Sequence, residues 1–129
     1  MAWYTRAMTP SRWIAVGAFW MAVAVTLGAF GAHALEDRLL ASGHLDSWRT
    51  GVRYHAWHAL ALIAMGLLQE RGLAGRVPAW CFLIGSVLFS GSIYGLSLGG
   101  SSALGPITPL GGLLLIVGWV ALGISSFRR

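Results

Sequence analysis

Two histidines three residues apart are the side chains of this sequence best suited to chemistry. His55 and His58 lie in the stretch YHAWHALAL, residues 54–62, where most neighbours are apolar. Such imidazoles can relay protons, ligate haem or a metal ion, or face a quinone, and they can equally tie two helices together by hydrogen bonds. We expect the hydrogen-bonding role, with ligand binding as the alternative.

The positions around these histidines recur at steps of three and four, which places them on one stripe of a helix. A stripe that carries two imidazoles and an amide should face the interior of a bundle, because polar groups in contact with lipid are costly. The stripe consists of Gly51, His55, His58, Leu62, Met65 and Gln69.

Depth along the helices indicates which polar groups can meet. A rise of about 1.5 Å per residue places His58 roughly 16 Å and His55 roughly 21 Å from the inner end of their helix. The same count on the next helix places Ser90 at about 18 Å and Tyr94 at about 24 Å. We therefore predict a buried polar cluster of Tyr54, His55, His58, Ser90 and Tyr94.

His33 is the natural third ligand candidate, but its depth argues against a metal site made of all three histidines. The first helix places it about 30 Å from the inner edge, roughly 10 Å beyond them. Ligand nitrogens must lie within about 2.1 Å of one zinc ion, so we predict neither a metal nor a cofactor site here. We expect an outer-face cluster of His33, Glu36, Asp37 and Thr108 instead.

The composition is that of a membrane protein. Hydrophobic residues make up 57% of the 129 residues and charged residues only 10%. A chain of this length has room for three or four spans and no separate catalytic domain. Its formal charge of +5 comes from arginines near predicted helix ends, so we do not expect nucleic-acid binding. The acidic residues all fall in connectors, which argues against an ion-coupled transporter.

Four spans are predicted, at about residues 13–34, 48–69, 78–98 and 109–127. The charged connector after the first span contains Leu35, Leu39 and Leu40, which predicts a short interfacial helix. Asp46 or Ser47 is the expected N-cap of the second span, and Thr108 that of the fourth. The sequence therefore predicts an all-α, integral membrane four-helix bundle with a short interfacial helix between helices 1 and 2.

Tryptophans and glycines suggest how the spans are placed. Four tryptophans near predicted helix ends fit interfacial anchors; they are Trp3, Trp13, Trp48 and Trp80. Small residues at helical spacing form smooth faces for close helix contact; they are Gly28, Gly31, Ser86, Ser90, Gly91, Gly95, Gly111 and Gly118.

The arginines predict the orientation of the chain. Six lie at the N-terminus, in the turn between helices 2 and 3, and at the C-terminus; they are Arg6, Arg12, Arg71, Arg76, Arg128 and Arg129. The other side has Arg38, Arg49 and Arg53. Because arginines accumulate on the cytoplasmic side, both termini are predicted to lie in the cytoplasm.

Five segments together resemble a small family of membrane proteins known as domain of unknown function 423, whose eukaryotic relative is called transmembrane protein 256. The segments are GAFGAHAL (28–35), TGVRY (50–54), HALAL (58–62), LFSGSIY (88–94) and ITPLGG (107–112). The resemblance implies a four-span protein of the bacterial inner membrane and brings no established activity. It also implies that position 55 is often Gln, whereas His33, Tyr54, His58, Ser90 and Tyr94 match the family pattern.

We expect a non-enzymatic membrane protein, an accessory or structural subunit or an assembly factor of a larger membrane complex. The sequence has many small-residue faces and none of the familiar catalytic constellations. Its expected partners are the lipid bilayer and other membrane-protein subunits. The alternative is a redox-linked protein that binds haem, a metal or a quinone through His58 with His55 or His33. A small-solute channel has less support, because the predicted spans offer no charged lining.

Overall fold

The computed structural model describes residues 8–129, and within them the chain forms five α-helices and one short 3-10 helix. The α-helices are α1 (Pro10–Ala32), α2 (Glu36–Ser42), α3 (Leu45–Glu70), α4 (Val77–Ser97) and α5 (Ile107–Phe127), and the 3-10 helix is Ser102–Leu104. The predicted fold class, four long helices with a short one after the first, is confirmed. The predictions for Trp3 and Arg6 lie outside the described residues.

Proline and glycine account for several of the helix boundaries. A proline stands in the first turn of both α1 and α4, where its missing N–H costs nothing. Gly43, at the end of α2, has a φ of 74°, a left-handed conformation that glycine adopts without strain.

The predicted N-caps of the second and fourth spans are wrong. His44 precedes α3, and Asp46 lies in the first turn, where a carboxylate interacts favourably with the helix dipole. Pro106 precedes α5, and the Thr108 hydroxyl lies 2.6 Å from Ser92 Oγ on α4. Thr108 thus ties two helices together.

The long helices pack in the order α1, α3, α4, α5, and each lies along the next. Residues at the start of α1 and in the α3–α4 connection share one end of the bundle. Residues that begin α3, end α4 and begin α5 share the other end. This up-and-down arrangement places the two ends of the described chain on the same side, as the arginine count requires.

Glycines bring the helix backbones together. A Cβ at Gly17 of α1 would lie 2.8 Å from the Ala59 carbonyl oxygen of α3, and one at Gly111 of α5 would clash with the Phe89 backbone of α4. Gly118 lies at a close helix contact, as predicted, and its neighbour is α4. Gly91 faces open space, so the prediction that it lies in a helix contact together with Gly95 is wrong for Gly91.

Two of the predicted interfacial tryptophans are core residues. Trp13 is fully buried and packs edge-to-face on Trp80, with ring centroids 5.0 Å apart. Trp48 is also buried, lies over Gly31, and donates from Nε1 to the Leu27 carbonyl at 2.9 Å. The anchor prediction is therefore wrong for these two side chains.

The short helix α2 closes the end of the bundle from which α3 starts. Leu39 of α2 is fully buried and packs in a cluster with Leu45 and Trp48. The guanidinium of Arg38 donates to the Leu98 carbonyl at 3.0 Å, which satisfies one of the free carbonyls at the end of α4. The predicted short helix thus covers the apolar core at this end.

Three helices of the described chain, α1, α4 and α5 with its preceding turn, are long and apolar enough to cross a membrane. Helix α3 is the longest of the five, at 26 residues, but it contains both buried histidines and two arginines. Its two histidines are buried in the bundle, whereas its four charged side chains are exposed, and all six lower its hydropathy; the charged residues are Asp46, Arg49, Arg53 and Glu70. A fourth span through α3 remains a prediction from length and packing.

Candidate functional site

His55 lies at the centre of a three-helix junction. It projects from α3 and is fully buried. Its Nε2 lies 2.9 Å from the Trp20 carbonyl oxygen of α1, and its Nδ1 lies 2.9 Å from the Tyr94 hydroxyl of α4. The imidazole also packs on the Trp20 indole, with ring centroids 3.8 Å apart. One side chain therefore joins α1, α3 and α4.

The partners of His55 determine its protonation pattern. A carbonyl oxygen can only accept, so Nε2 carries the proton and donates to Trp20. In the neutral ring Nδ1 is then an acceptor, and the Tyr94 hydroxyl donates to it. Both nitrogens are thereby satisfied, as a buried polar group requires.

His58, one turn further along α3, forms a separate junction with α5. Its Nδ1 lies 2.6 Å from the Tyr54 carbonyl oxygen in the preceding turn, and its Nε2 accepts from Trp119 Nε1 at 3.0 Å. An indole N–H can only donate, so the Nε2 lone pair is committed to Trp119. Phe82 of α4 packs against both rings.

The structure therefore divides the predicted polar cluster into separate ties. Tyr94 bonds His55 and not His58, and Ser90 donates to the Gly51 carbonyl at 2.7 Å, which makes a further link between α3 and α4. Tyr54 contributes its carbonyl to His58, while its ring packs on Phe89. The expectation that His58 ties α3 to α4 through Ser90 and Tyr94 is wrong, because its interhelical bond goes to α5.

The expected outer-face cluster does not assemble through its side chains within residues 8–129. His33 is exposed at the end of α1 and lines a groove on the outer side of that helix. Glu36 and Asp37 occupy the first turn of α2, where they interact favourably with the helix dipole. Thr108 pairs with Ser92 at the start of α5. Of the four, only Thr108 makes a side-chain hydrogen bond within the described residues, and its partner, Ser92, is outside the predicted cluster.

Two tryptophans that complete the junctions were missed by sequence reasoning. Trp20 supplies a carbonyl to His55 and donates from its indole to Ser86 at 2.9 Å. Trp119 supplies the only indole donor that reaches His58 among the described residues. A tryptophan deep within a span needs a hydrogen-bond acceptor for its N–H, and this requirement could have identified Trp20 and Trp119 from the sequence.

These contacts limit what the histidines can do chemically. A metal or haem iron needs a free imidazole lone pair, and here the lone pairs of His55 and His58 accept from Tyr94 and Trp119. Ligation would have to break one of those bonds and leave a buried donor unpaired. The observed arrangement suits interhelical hydrogen bonding.

Sequence comparisons agree with the membrane character of the fold. A family described as "Protein of unknown function (DUF423)" matches residues 27–112. The UPF0382 membrane protein YwdK of Bacillus subtilis is 42% identical over 118 residues, which cover 89% of this chain and 95% of that protein. A UPF0382 membrane protein of Staphylococcus saprophyticus is 40% identical over 116 residues, covering 89% of this chain and 96% of the relative.

A eukaryotic relative extends the comparison beyond bacteria. A UPF0382 membrane protein of Schizosaccharomyces pombe is 41% identical over 105 residues, which cover 78% of this chain and 88% of that protein. No solved structure matches the chain. The family match spans the histidines of α3 and their α4 partners, and the relatives are named as membrane proteins. The chain is therefore a membrane protein of the DUF423 family.

Proposed function

We propose that this protein is a non-enzymatic accessory subunit or assembly factor of a larger membrane complex, and that it docks through the outward face of α1. We further propose that it resides in the bacterial inner membrane with both termini in the cytoplasm. The observation that carries the proposal is a continuous small-residue face on α1 that is exposed in the isolated chain.

This face of α1 follows helical spacing along nearly the whole helix. Its members are small, exposed and separated by three or four residues; they are Ala15, Ala18, Ala22, Thr26 and Ala29. The Thr26 hydroxyl donates to the Ala22 carbonyl at 2.8 Å, so it needs no partner from outside. Phe19, beside this face, is 75% exposed. We call these five residues the α1 small-residue face.

Small residues are enriched where membrane helices meet, because they let two backbones approach closely and gain van der Waals contact. Within this bundle the same device joins α1 to α3 through Gly17 and Gly66, on the opposite side of α1. A second smooth face, turned away from the bundle, fits a helix of another polypeptide.

The bundle interior supports a structural role. Hydrogen bonds of two histidines join the four long helices of the described chain. His55 links α3 to α1 and α4, and His58 links α3 to α5. A protein whose buried polar groups bond one another offers a rigid scaffold for docking. Binding of haem or a metal by His58 or His55 would require Trp119 or Tyr94 to give up its hydrogen bond to that histidine. An optical spectrum and a metal analysis of the purified protein test this redox alternative.

The docking proposal is tested by purification from native membranes in mild detergent, with mass spectrometry of what co-purifies. We compare the wild-type chain with an A18L/A22L double variant, which places two bulky side chains on the α1 small-residue face. The matched control is A64L, the same substitution at an exposed position of α3. A thermal melt of each variant confirms that it folds.

We expect a partner polypeptide in fixed ratio with the wild type and with A64L. We expect its loss from A18L/A22L, because the added side chains hold the two helices apart. A wild-type protein that purifies without any partner, or a double variant that keeps the partner, would refute the proposal.

A further inference from the structure

We propose that a groove between α3 and α5 binds one phospholipid molecule, with an acyl chain along its apolar half and the lipid's ester or phosphate oxygens at Ser97. This proposal goes beyond the subunit role, because the groove lies on helices other than α1. It would hold whether or not a partner docks on the α1 small-residue face.

The apolar half of the groove lies on the surface of the bundle, about halfway along its length. It has a volume of about 730 Å³ and runs over Phe89 of α4. Tyr54 and Trp57 of α3 form one wall, and Leu115 and Ile116 of α5 form the other. Gly112 leaves room at the base, since a Cβ there would meet only the Phe89 ring, at 3.5 Å. Such a lining suits a hydrocarbon chain.

The other half lies at the end of the bundle where α3 and α5 begin. It has a volume of about 560 Å³, and its lining is rich in hydroxyl groups. Ser47 and Thr50 come from α3, Ser97 from α4 and Thr108 from α5. Two titratable side chains also line it, His44 and Asp46, and the exposed Asp46 carboxylate lies 3.9 Å from the Arg49 guanidinium.

The two halves follow one another along the same pair of helices. On α3 the lining runs from Asp46 to Leu60, a separation of fourteen residues, and on α5 from Thr108 to Trp119, a separation of eleven. At about 1.5 Å per residue this is roughly 16 to 21 Å, half the thickness of a hydrocarbon core or somewhat more. The bond between Trp119 and His58 crosses from α5 to α3 and closes the groove at its inner end. The groove thus has the length and polarity of one lipid leaflet.

Ser97 points to a ligand that carries hydrogen-bond acceptors. Ser97 lines the polar half and is 4% exposed, while its Oγ is itself covered by protein atoms and finds no hydrogen-bond partner among the described residues. A buried hydroxyl without a partner costs free energy, so an acceptor in the groove that the hydroxyl meets by rotating about χ1 would remove that cost. The ester and phosphate oxygens of a phospholipid lie at the depth where the groove changes from apolar to polar.

A transmembrane helix fits the groove less well than a lipid. Its backbone carbonyls are already engaged within the helix, so it offers Ser97 no free acceptor at this depth. A helix is also about 10 Å wide with its side chains and would have to continue past the Trp119–His58 bond that crosses the inner end of the groove. A single acyl chain is narrower and can end at that bond.

The test is a lipid titration by native mass spectrometry, with palmitoyl-oleoyl phosphatidylethanolamine as the probe and the whole chain in detergent. The groove-filling variant is G112L, whose side chain enters the apolar half without a backbone clash. Its matched control is G123L on the same helix, where a Cβ meets nothing within 4 Å. S97A removes the hydroxyl and leaves the shape unchanged.

We expect one tightly held lipid on the wild type and on G123L, and at least tenfold weaker binding to G112L. We expect S97A to weaken binding about fivefold, the effect of one hydrogen bond of ordinary strength. A thermal melt without lipid shows that the variants fold, and S97A should melt no lower than the wild type because its hydroxyl has no internal partner.

The proposal is overturned if the wild type binds lipid only as a series of equally weak adducts, or if G112L and G123L bind the probe equally. A change of oligomeric state in G112L with unchanged lipid binding would assign the groove to a second copy of the chain and would also overturn it.

Discussion

At the level of single residues, the histidines of α3 are neutral hydrogen-bonding groups, each joined to a different set of helices. The sequence predicted their burial correctly, because their helical spacing puts both on the interior stripe. It could not predict their partners, because depth alone does not say which way a neighbouring helix is rotated. Trp20 and Trp119 sit at suitable depths on α1 and α5, and only packing shows that they face α3.

The role of His55 as a tie can be tested by substitution. H55L leaves the Tyr94 hydroxyl without its partner and removes the second hydrogen bond to the Trp20 carbonyl, so we expect it to lower the free energy of unfolding by about 1–3 kcal/mol. H55Q retains a donor and an acceptor, and we expect a loss of less than about 1 kcal/mol. Reversible unfolding in mixed detergent micelles measures both. Equal losses in the two variants would contradict the hydrogen-bonding role.

At the level of elements, the number and order of helices followed from hydropathy and from the proline and glycine breaks. The helix ends were less predictable, because several residues suit an N-cap equally well in sequence. Asp46 or Ser47 was expected to cap α3 and Thr108 to cap α5, and all three lie instead inside the first turn. The glycine contacts were partly predictable, since Gly111 and Gly118 form a helix interface and Gly91 does not.

The close contact between α4 and α5 depends on Gly111. G111A places a methyl group against the backbone of Phe89 and Gly85, so we expect a loss of about 1–3 kcal/mol from overpacking. G91A is the matched control, because its Cβ enters open space on α4. Alanine favours a helix over glycine, so we expect a gain of about 0.5 kcal/mol there. Unfolding measurements that gave both variants the same sign would contradict this packing.

At the level of the whole molecule, the up-and-down bundle places both ends of the described chain on one side, and the arginines predict that this side is the cytoplasm. Hydropathy identifies α1, α4 and α5 as candidate spans and not α3, whose exposed charged residues and buried histidines lower its average. The histidines do not disfavour a span, because both are hydrogen-bonded inside the bundle. If α3 also crosses the membrane, the chain has four spans, and both ends of the described chain lie on the same side of the membrane.

Orientation can be measured with single cysteines. In a C81S background, A103C lies between α4 and α5 and S126C lies near the C-terminus, both at exposed positions. We expect a membrane-impermeant thiol reagent added to intact cells to label A103C and to spare S126C until the membrane is opened. Labelling of both positions, or of S126C alone, would contradict a four-span topology with cytoplasmic termini.

The docking of α1 on another membrane polypeptide is tested most directly by site-specific photocrosslinking in living cells. A photoreactive amino acid replaces Ala22 on the α1 small-residue face or, as a control, Ala64 on α3. We expect a discrete adduct with a different polypeptide from position 22 and none from position 64. Crosslinks to lipid alone at position 22, or equal protein adducts from both positions, would contradict this docking.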